Sequence, residues 1–152
     1  MRYQAYLRER YRLLLGYIGG LWIIIALTIL SPLLLLPFYP EEVRHAPIFL
    51  MVGVPLGIAA FILRWRTRIA DAPSPNVQEG MVAVLIAWVG AIIVGAIPLM
   101  LLADLNFTQA IFESTSGWTT TGLSVVDVEA VPRIVLFYRS TIQLVGGAGF
   151  AI

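Results

Sequence analysis

Three long uncharged apolar runs dominate the chain and limit the kinds of fold it can adopt. They cover residues 13–40, 46–63 and 80–103. An apolar run of about 18 residues or more predicts a helix that spans a lipid bilayer. Only 12% of the 152 residues are charged, whereas soluble domains carry roughly 25%. The sequence therefore predicts an all-α integral membrane protein.

A fourth apolar run, residues 134–152, is interrupted only by Arg139. It continues to the last residue without a stop signal, so we expect this chain to be the amino-terminal fragment of a longer protein. The second run contains Pro55, where we expect a kink. Cysteine is absent, which excludes disulfides and thiolate metal sites within the chain. A net charge of +1 gives no reason to expect a nucleic acid partner.

The arginines predict how the chain lies in the membrane. The loop between the first two runs holds Glu41 and Glu42 against Arg44 and His45. By contrast, arginines predominate just before the first run and just after the second, at positions 2, 8, 10, 12, 64, 66 and 68. Cytoplasmic segments carry the excess of basic residues. We therefore expect a multi-pass protein of the cell (inner) membrane with a cytoplasmic amino terminus.

A proline-rich stretch at residues 73–75 interrupts the second cytoplasmic loop. It divides the chain into a two-helix hairpin, residues 1–70, and a second unit, residues 77–152. The second unit reads as a helix, a short helix with a loop, and a further helix that is truncated. No repeat of this unit is visible in the hairpin.

The run Ser114–Leu123 is polar, uncharged and contains two glycines, although it lies between two apolar segments. The preceding residues 106–113 are too few to span a bilayer. Polar, glycine-containing backbone at membrane depth is tolerated where it is buried in protein or lines a cavity. Potassium filters use such loops, in Thr-Val-Gly-Tyr-Gly sequences whose backbone carbonyls replace the water around the ion.

Thr120-Thr121-Gly122 aligns with the first three positions of that loop. We therefore predict a carbonyl-lined filter formed by Thr119, Thr120, Thr121, Gly122 and Leu123, with K⁺ held at Thr120, Thr121 and Gly122. Glycine adopts unusual backbone angles at little steric cost, which suits the Gly122 position. The Thr120 hydroxyl adds a further oxygen.

A short helix through about Gly117 is expected before this loop, capped by Asn106 or Thr108. With a cytoplasmic amino terminus, the third run is expected to cross outward and to end near Asp104. The short helix therefore enters from outside, and its carboxyl end points toward the membrane centre. That end carries a partial negative charge of about half an electron, which favours a cation.

Arg139 lies about six residues into the fourth run, where a charge in hydrocarbon is costly and calls for a partner. Glu113 is the best candidate, and we predict that the pair supports the pore loop. The alternative is that Arg139 extends to the outer interface. The glycines at 146, 147 and 149 are expected to serve close helix packing rather than a hinge.

Two other functions remain open on the residues alone. Threonine and glycine also let membrane helices pack, so the chain would then be a membrane scaffold that conducts no ion. An intramembrane enzyme would use Ser114, Ser116 or Ser140 as nucleophile, but His45 lies in a loop and lysine is absent. The usual serine–base pairs are therefore unavailable in this chain, and we expect no enzyme and no cofactor.

These motifs together resemble the Trk/Ktr/HKT superfamily of potassium transporters, most closely the pore-forming subunits of the bacterial Trk type. The matching segments are residues 78–80, 95–98, 110–122, 136–140 and 143–149. Residues 77–152 match well, whereas residues 1–70 match only as the extra hairpin that Trk-type subunits carry ahead of the pore.

The resemblance implies four helix–pore loop–helix units around a pseudo-fourfold pore, of which this chain holds the first. It implies that Gly122 is the filter glycine and that the whole protein takes up potassium, alone or coupled to protons or sodium. Serine at this position in some relatives admits sodium. The family also implies a homodimer and a cytoplasmic nucleotide-binding regulatory subunit.

Overall fold

The computed structural model describes residues 2–67 and 76–150. Its regular elements are all helical within these ranges, as the composition predicts. In chain order the α-helices are α1 (Arg2–Leu30), α2 (Ala46–Thr67), α3 (Val77–Leu102), α4 (Phe107–Trp118) and α5 (Arg133–Phe150). Three segments are long and apolar enough to cross a membrane, namely residues 10–35, 40–67 and 77–102. The predicted all-α membrane fold is confirmed.

The first helix is shifted toward the amino terminus relative to the apolar run that predicts it. α1 takes in the basic residues from Arg2 onward and ends at Leu30, after which residues 31–35 form a 3₁₀ turn. Pro32 has no N–H to give to the carbonyl of Thr28, so the α-helical pattern stops there. The Ser31 hydroxyl donates to that carbonyl instead, at 2.7 Å.

Glycines let α1 and α2 pack closely as an antiparallel hairpin. A methyl group built on Gly19 comes within 3.0 Å of the Arg64 backbone nitrogen, so the two helix backbones approach there without a side chain between them. Small residues serve this purpose in membrane proteins because lipid gives helices no hydrophobic reason to associate. Pro55 lies inside α2, and the kink expected there stays a prediction.

α3 begins at a capping box. The Asn76 side chain accepts the Glu79 N–H at 2.8 Å, and the Glu79 carboxylate accepts the Asn76 N–H at 3.0 Å. These two bonds satisfy donors that an uncapped helix start leaves free. Arg68 and the prolines at 73 and 75, which the sequence places in the loop ahead of α3, lie outside the described residues.

The core joins the hairpin to the later helices. Phe49 of α2 packs edge to face on Tyr138 of α5, with ring centroids 5.4 Å apart. The Tyr138 hydroxyl donates to the Gly95 carbonyl of α3 at 3.1 Å. Phe49, Tyr138 and Leu99 are fully buried. A single apolar cluster therefore contains residues from all five helices.

The connection between α1 and α2 also caps α5. A second 3₁₀ turn, Pro40–His45, brings the buried Glu42 carboxylate to the start of α5, where it accepts the Arg133 N–H at 3.0 Å. The Arg133 guanidinium lies over the Tyr39 ring at 4.8 Å. A carboxylate is favourable at this end of a helix, which carries partial positive charge.

Candidate ion site

α4 is a short helix whose start is set by its own sequence. The Asn106 side chain accepts the Gln109 N–H at 2.9 Å, and the Gln109 side chain accepts the Asn106 N–H at 3.0 Å. Asn106 is therefore the cap, and Thr108 lies within the first turn. With 12 residues, α4 is about 18 Å long, which is too short to cross a bilayer.

The chain leaves α4 through a tight turn that uses the last helical carbonyls. Thr120 N–H donates to Gly117 at 3.1 Å, and Thr121 N–H donates to Ser116 at 3.0 Å. Thr120 has a positive φ of 55°. This backbone region is sterically unfavourable for a β-branched residue, and strained residues concentrate at functional sites.

Gly122 also has a positive φ, at 80°, as expected for the predicted filter glycine. A methyl group built there meets no atom within 4 Å. Glycine is thus required by the backbone angle and not by crowding within this chain. The sequence predicted unusual backbone angles at Gly122, but nothing in it indicated the positive φ of Thr120.

The backbone carbonyls of the predicted filter fall into two groups. Among the described residues, no hydrogen-bond donor reaches the carbonyl oxygens of Thr120, Thr121 or Gly122, and all three residues are exposed. The Thr119 carbonyl accepts one bond, from the Thr120 hydroxyl at 2.7 Å. That hydroxyl keeps its oxygen lone pairs, so it still matches the predicted extra oxygen.

Leu123 differs from the other predicted filter residues. Its carbonyl oxygen accepts the Ser116 hydroxyl at 2.5 Å and Nη2 of Arg139 at 3.3 Å. A carbonyl oxygen has two lone pairs, and both are engaged by these donors. The Leu123 carbonyl therefore serves as an anchor for the loop in this structure, because two side chains hold it from the α4–α5 side.

Glu113 and Arg139 are brought together by α4 and α5. The Glu113 carboxylate is fully buried and accepts Nε of Arg139. It also accepts the Ser124 hydroxyl at 3.0 Å and the Val125 N–H at 2.9 Å. Arg139 thus pairs within the protein instead of extending to the outer interface. Bonds of this charge-assisted kind are the stronger ones, and they fix the segment that follows Gly122.

Gly146 lets α5 approach the end of α4. A methyl group built on Gly146 overlaps the Trp118 carbonyl oxygen and lies 2.8 Å from the Trp118 carbonyl carbon. Only a residue without a side chain fits here unless the backbone moves. Gly149, by contrast, has an ordinary 3.9 Å contact to Trp88. Gly146 therefore has the packing role that the sequence predicts.

The serines considered as nucleophiles all donate to backbone carbonyls. Ser114 bonds to Ile92, Ser116 to Leu123 and Ser140 to Leu136. His45, the single histidine, lies 3.7 Å from Glu42 at the other connection. In the described ranges the hydroxyls of these three serines donate to backbone carbonyls and to no basic side chain. No group of three His, Asp or Glu residues there is placed to hold a metal ion.

Comparison with known proteins gives the family. The TrkH family model, described as cation transport protein, matches residues 51–152. The chain belongs to the TrkH family. This match confirms the Trk-type resemblance of the sequence. The chain has three segments long and apolar enough to cross a membrane, so this member of the TrkH family is a multi-pass membrane protein.

Relatives of this TrkH family chain include an uncharacterized cation transporter of Methanocaldococcus jannaschii, 35% identical over 141 residues, or 91% of this chain and 29% of the relative. The Trk system potassium uptake protein TrkG of Escherichia coli is 31% identical over 135 residues, covering 84% of this chain and 26% of TrkG.

The fold is similar to the crystal structure of the potassium transporter TrkH from Vibrio parahaemolyticus. The TM-score is 0.75 at 26% identity, and the match covers 91% of this chain and 30% of that one. The chain therefore spans less than a third of the length of the relatives that it matches.

Proposed function

We propose that this chain supplies the first quarter of a potassium uptake pore, with Thr120, Thr121 and Gly122 as its ion ligands. The observation that carries this proposal is the row of backbone carbonyls at these residues, which no donor within the described chain reaches. Unpaired carbonyls in a membrane protein need a partner. A cation that has lost its water is such a partner.

The chemistry of the loop suits potassium. Its ligands are neutral oxygens, which hard alkali cations prefer over nitrogen or sulfur. Several relatives are named potassium uptake proteins, and the proposed substrate follows theirs. Thr119 contributes a carbonyl with one free lone pair at the edge of the filter, whereas Leu123 acts as an anchor and takes no ion.

α4 has the role of a pore helix in this proposal. Its carboxyl end leads directly into the loop at Thr119, and the partial negative charge there favours a cation. Glu113, Ser116 and Arg139 hold the far side of the loop. The carbonyls of Thr120, Thr121 and Gly122 thus stay free for the ion, while the Leu123 carbonyl, the Ser124 hydroxyl and the Val125 N–H hold the loop in place.

The proposal includes the remaining expectations for the whole protein. The amino terminus faces the cytoplasm, the protein lies in the inner membrane, and the loop after α4 faces outward. The subunit forms a homodimer and binds a cytoplasmic nucleotide-binding regulatory subunit. Transport breaks no covalent bond, so neither a catalytic residue nor a cofactor is part of it.

The test is Gly122→Ser in the full-length protein, expressed in cells that lack other potassium uptake systems. A non-glycine residue at positive φ costs about 1–2 kcal/mol, which corresponds to about 5–30-fold in an equilibrium. This strain drives the loop away from the conformation that presents its carbonyls, so we expect a lower preference for K⁺ over Na⁺, measured by competitive ion uptake, with normal amounts of folded protein in the membrane.

Gly57→Ala is the matched control, because Gly57 lies in α2 and a methyl group there makes an ordinary 3.5 Å contact with Ala26. The control should transport normally. If Gly122→Ser kept both the rate and the K⁺ preference of the unmodified protein, Gly122 would not belong to the filter. The chain would then fit the scaffold alternative better.

A further inference from the structure

A cleft of about 360 Å³ opens between α1, α2 and α3 at the end of the bundle that carries the arginines. Its walls are mostly apolar, formed by side chains that include Leu14, Leu21 and Val84. Gly80 also lines it, and a methyl group built on Gly80 meets no atom within 4 Å. The cleft is therefore open space beside a helix, bounded by groups that acyl chains can contact.

Arg64 places a fixed charge in the wall of this cleft. Its Nη1 donates to the Gly16 carbonyl at 3.3 Å. The guanidinium lies against Gly20, where a methyl group would come within 2.8 Å of Nη1. The charge thus lies against α1 at Gly16 and Gly20, where no side chain intervenes. These residues are about 5–10 Å along the helix from residue 13, the start of the apolar run. That depth corresponds to the boundary between lipid headgroups and acyl chains.

The carboxylate beside the cleft does not cancel this charge. Glu79 is paired with Arg10 at 2.8 Å, and its second oxygen accepts the Asn76 N–H. No carboxylate in the described part of the chain lies within ion-pair distance of Arg64. The net charge of Arg64, Glu79 and Arg10 is therefore positive, beside an apolar cleft.

We propose that this cleft binds an anionic phospholipid, with the phosphate on Arg64 and one acyl chain along Leu14, Leu21 and Val84. Charge complementarity favours this occupant, because basic pockets between membrane helices recognise anionic headgroups. A zwitterionic lipid offers the same acyl chain but cancels its own phosphate charge. The cleft residues lie on α1, α2 and α3, apart from the filter loop after α4, so the proposed transporter would have a separate lipid-binding site.

The experiment measures lipid retention by native mass spectrometry on the full-length protein. Phosphatidylglycerol is the probe, and phosphatidylcholine with the same acyl chains is the reference lipid. Arg64→Gln removes the charge, and Gly80→Leu fills the cleft. Leucine also has the higher helix propensity, so unfolding of α3 is not the expected effect. Arg66→Gln is the matched control, since Arg66 is exposed on the same turn of α2 but does not line the cleft.

We expect Arg64→Gln and Gly80→Leu each to reduce phosphatidylglycerol binding by about fivefold or more, with Arg66→Gln and phosphatidylcholine binding unchanged. Equal losses in Arg64→Gln and Arg66→Gln would mean general surface attraction and would overturn the proposal. So would a lower melting temperature in Gly80→Leu with unchanged lipid binding, because another protein segment would then fill the cleft.

Discussion

The Glu113 side chain makes several of the contacts that hold the loop after α4. It is fully buried and accepts bonds from Arg139, Ser124 and the Val125 backbone. A buried carboxylate with a single partner would be costly, whereas one shared among several donors is well compensated. Glu113 thus links α5 to the two residues that follow the anchored Leu123.

Glu113→Gln tests this residue directly. The amide keeps the shape but leaves the Arg139 charge without a counter-ion, and breaking a buried pair in this way costs about 3–5 kcal/mol. We expect Glu113→Gln to reduce K⁺ over Na⁺ selectivity or the yield of folded protein. Competitive ion uptake and the melting temperature of the purified full-length protein measure the two effects.

Glu129→Gln is the control for this experiment, because Glu129 is an exposed acidic residue in the loop ahead of α5. It should leave uptake and melting temperature unchanged. Normal selectivity and normal stability in Glu113→Gln would show that the ion pair does not support the loop.

At the scale of helices, the contact between α4 and α5 sets where the loop begins. The α5 backbone at Gly146 meets the Trp118 carbonyl without an intervening side chain. Gly117 of α4 in turn lies against the Ile142 side chain of α5, which a methyl group built on Gly117 would overlap. The two helices therefore interlock through glycines just before Thr119, so a shift of α5 would move the start of the loop.

Gly146→Ala should disturb this contact strongly. The added methyl group overlaps backbone atoms, which cannot rotate away, and overpacking of a core costs about 1–3 kcal/mol or more. We expect a lower melting temperature and reduced K⁺ uptake by the full-length protein.

Gly149→Ala makes the same chemical change three residues further along α5, where the nearest atom of Trp88 is 3.9 Å away. It should be neutral or slightly stabilising, since alanine favours helices over glycine by about 1 kcal/mol. Equal melting temperatures for the two variants would contradict the packing role of Gly146.

At the scale of the whole molecule, the ends of the helices divide into two sets. The start of α1, the end of α2 and the start of α3 lie together, as the contacts Arg12–Arg66 and Arg10–Glu79 show. The turn before α2 lies with the start of α5, through Glu42 and Arg133. The first set carries most of the arginines. The positive-inside rule therefore predicts that the first set faces the cytoplasm and the second set faces outward.

Cysteine labelling tests that orientation, and the chain itself has no cysteine to interfere. Val128→Cys lies in the exposed loop ahead of α5, and Gln78→Cys lies at the exposed start of α3. In a cysteine-free full-length protein, a membrane-impermeant thiol reagent should label Val128→Cys in intact cells. Gln78→Cys should react only after the cells are opened. The opposite pattern would reverse the proposed orientation.

Much of this molecule follows from local sequence. The membrane-crossing helices are predictable because a long apolar run favours lipid wherever it occurs. The capping box at Asn106 lies within four consecutive residues. The approach of Glu113 and Arg139 was also predictable, although they are 26 residues apart, because a charge in hydrocarbon restricts its possible partners.

Other features depend on contacts between distant parts of the chain. In the sequence Glu42 has the character of an ordinary charged loop residue. In the structure its carboxylate accepts the first N–H of α5, a helix that starts 91 residues later. The sequence predicts that Leu123 is one more filter residue. In the structure its carbonyl accepts hydrogen bonds from the Ser116 and Arg139 side chains. Hydrophobic length and capping are properties of neighbouring residues, whereas the direction of a backbone carbonyl depends on which donors the folded helices bring to it. Which loop carbonyls accept a hydrogen bond is therefore decided by the packing of the helices.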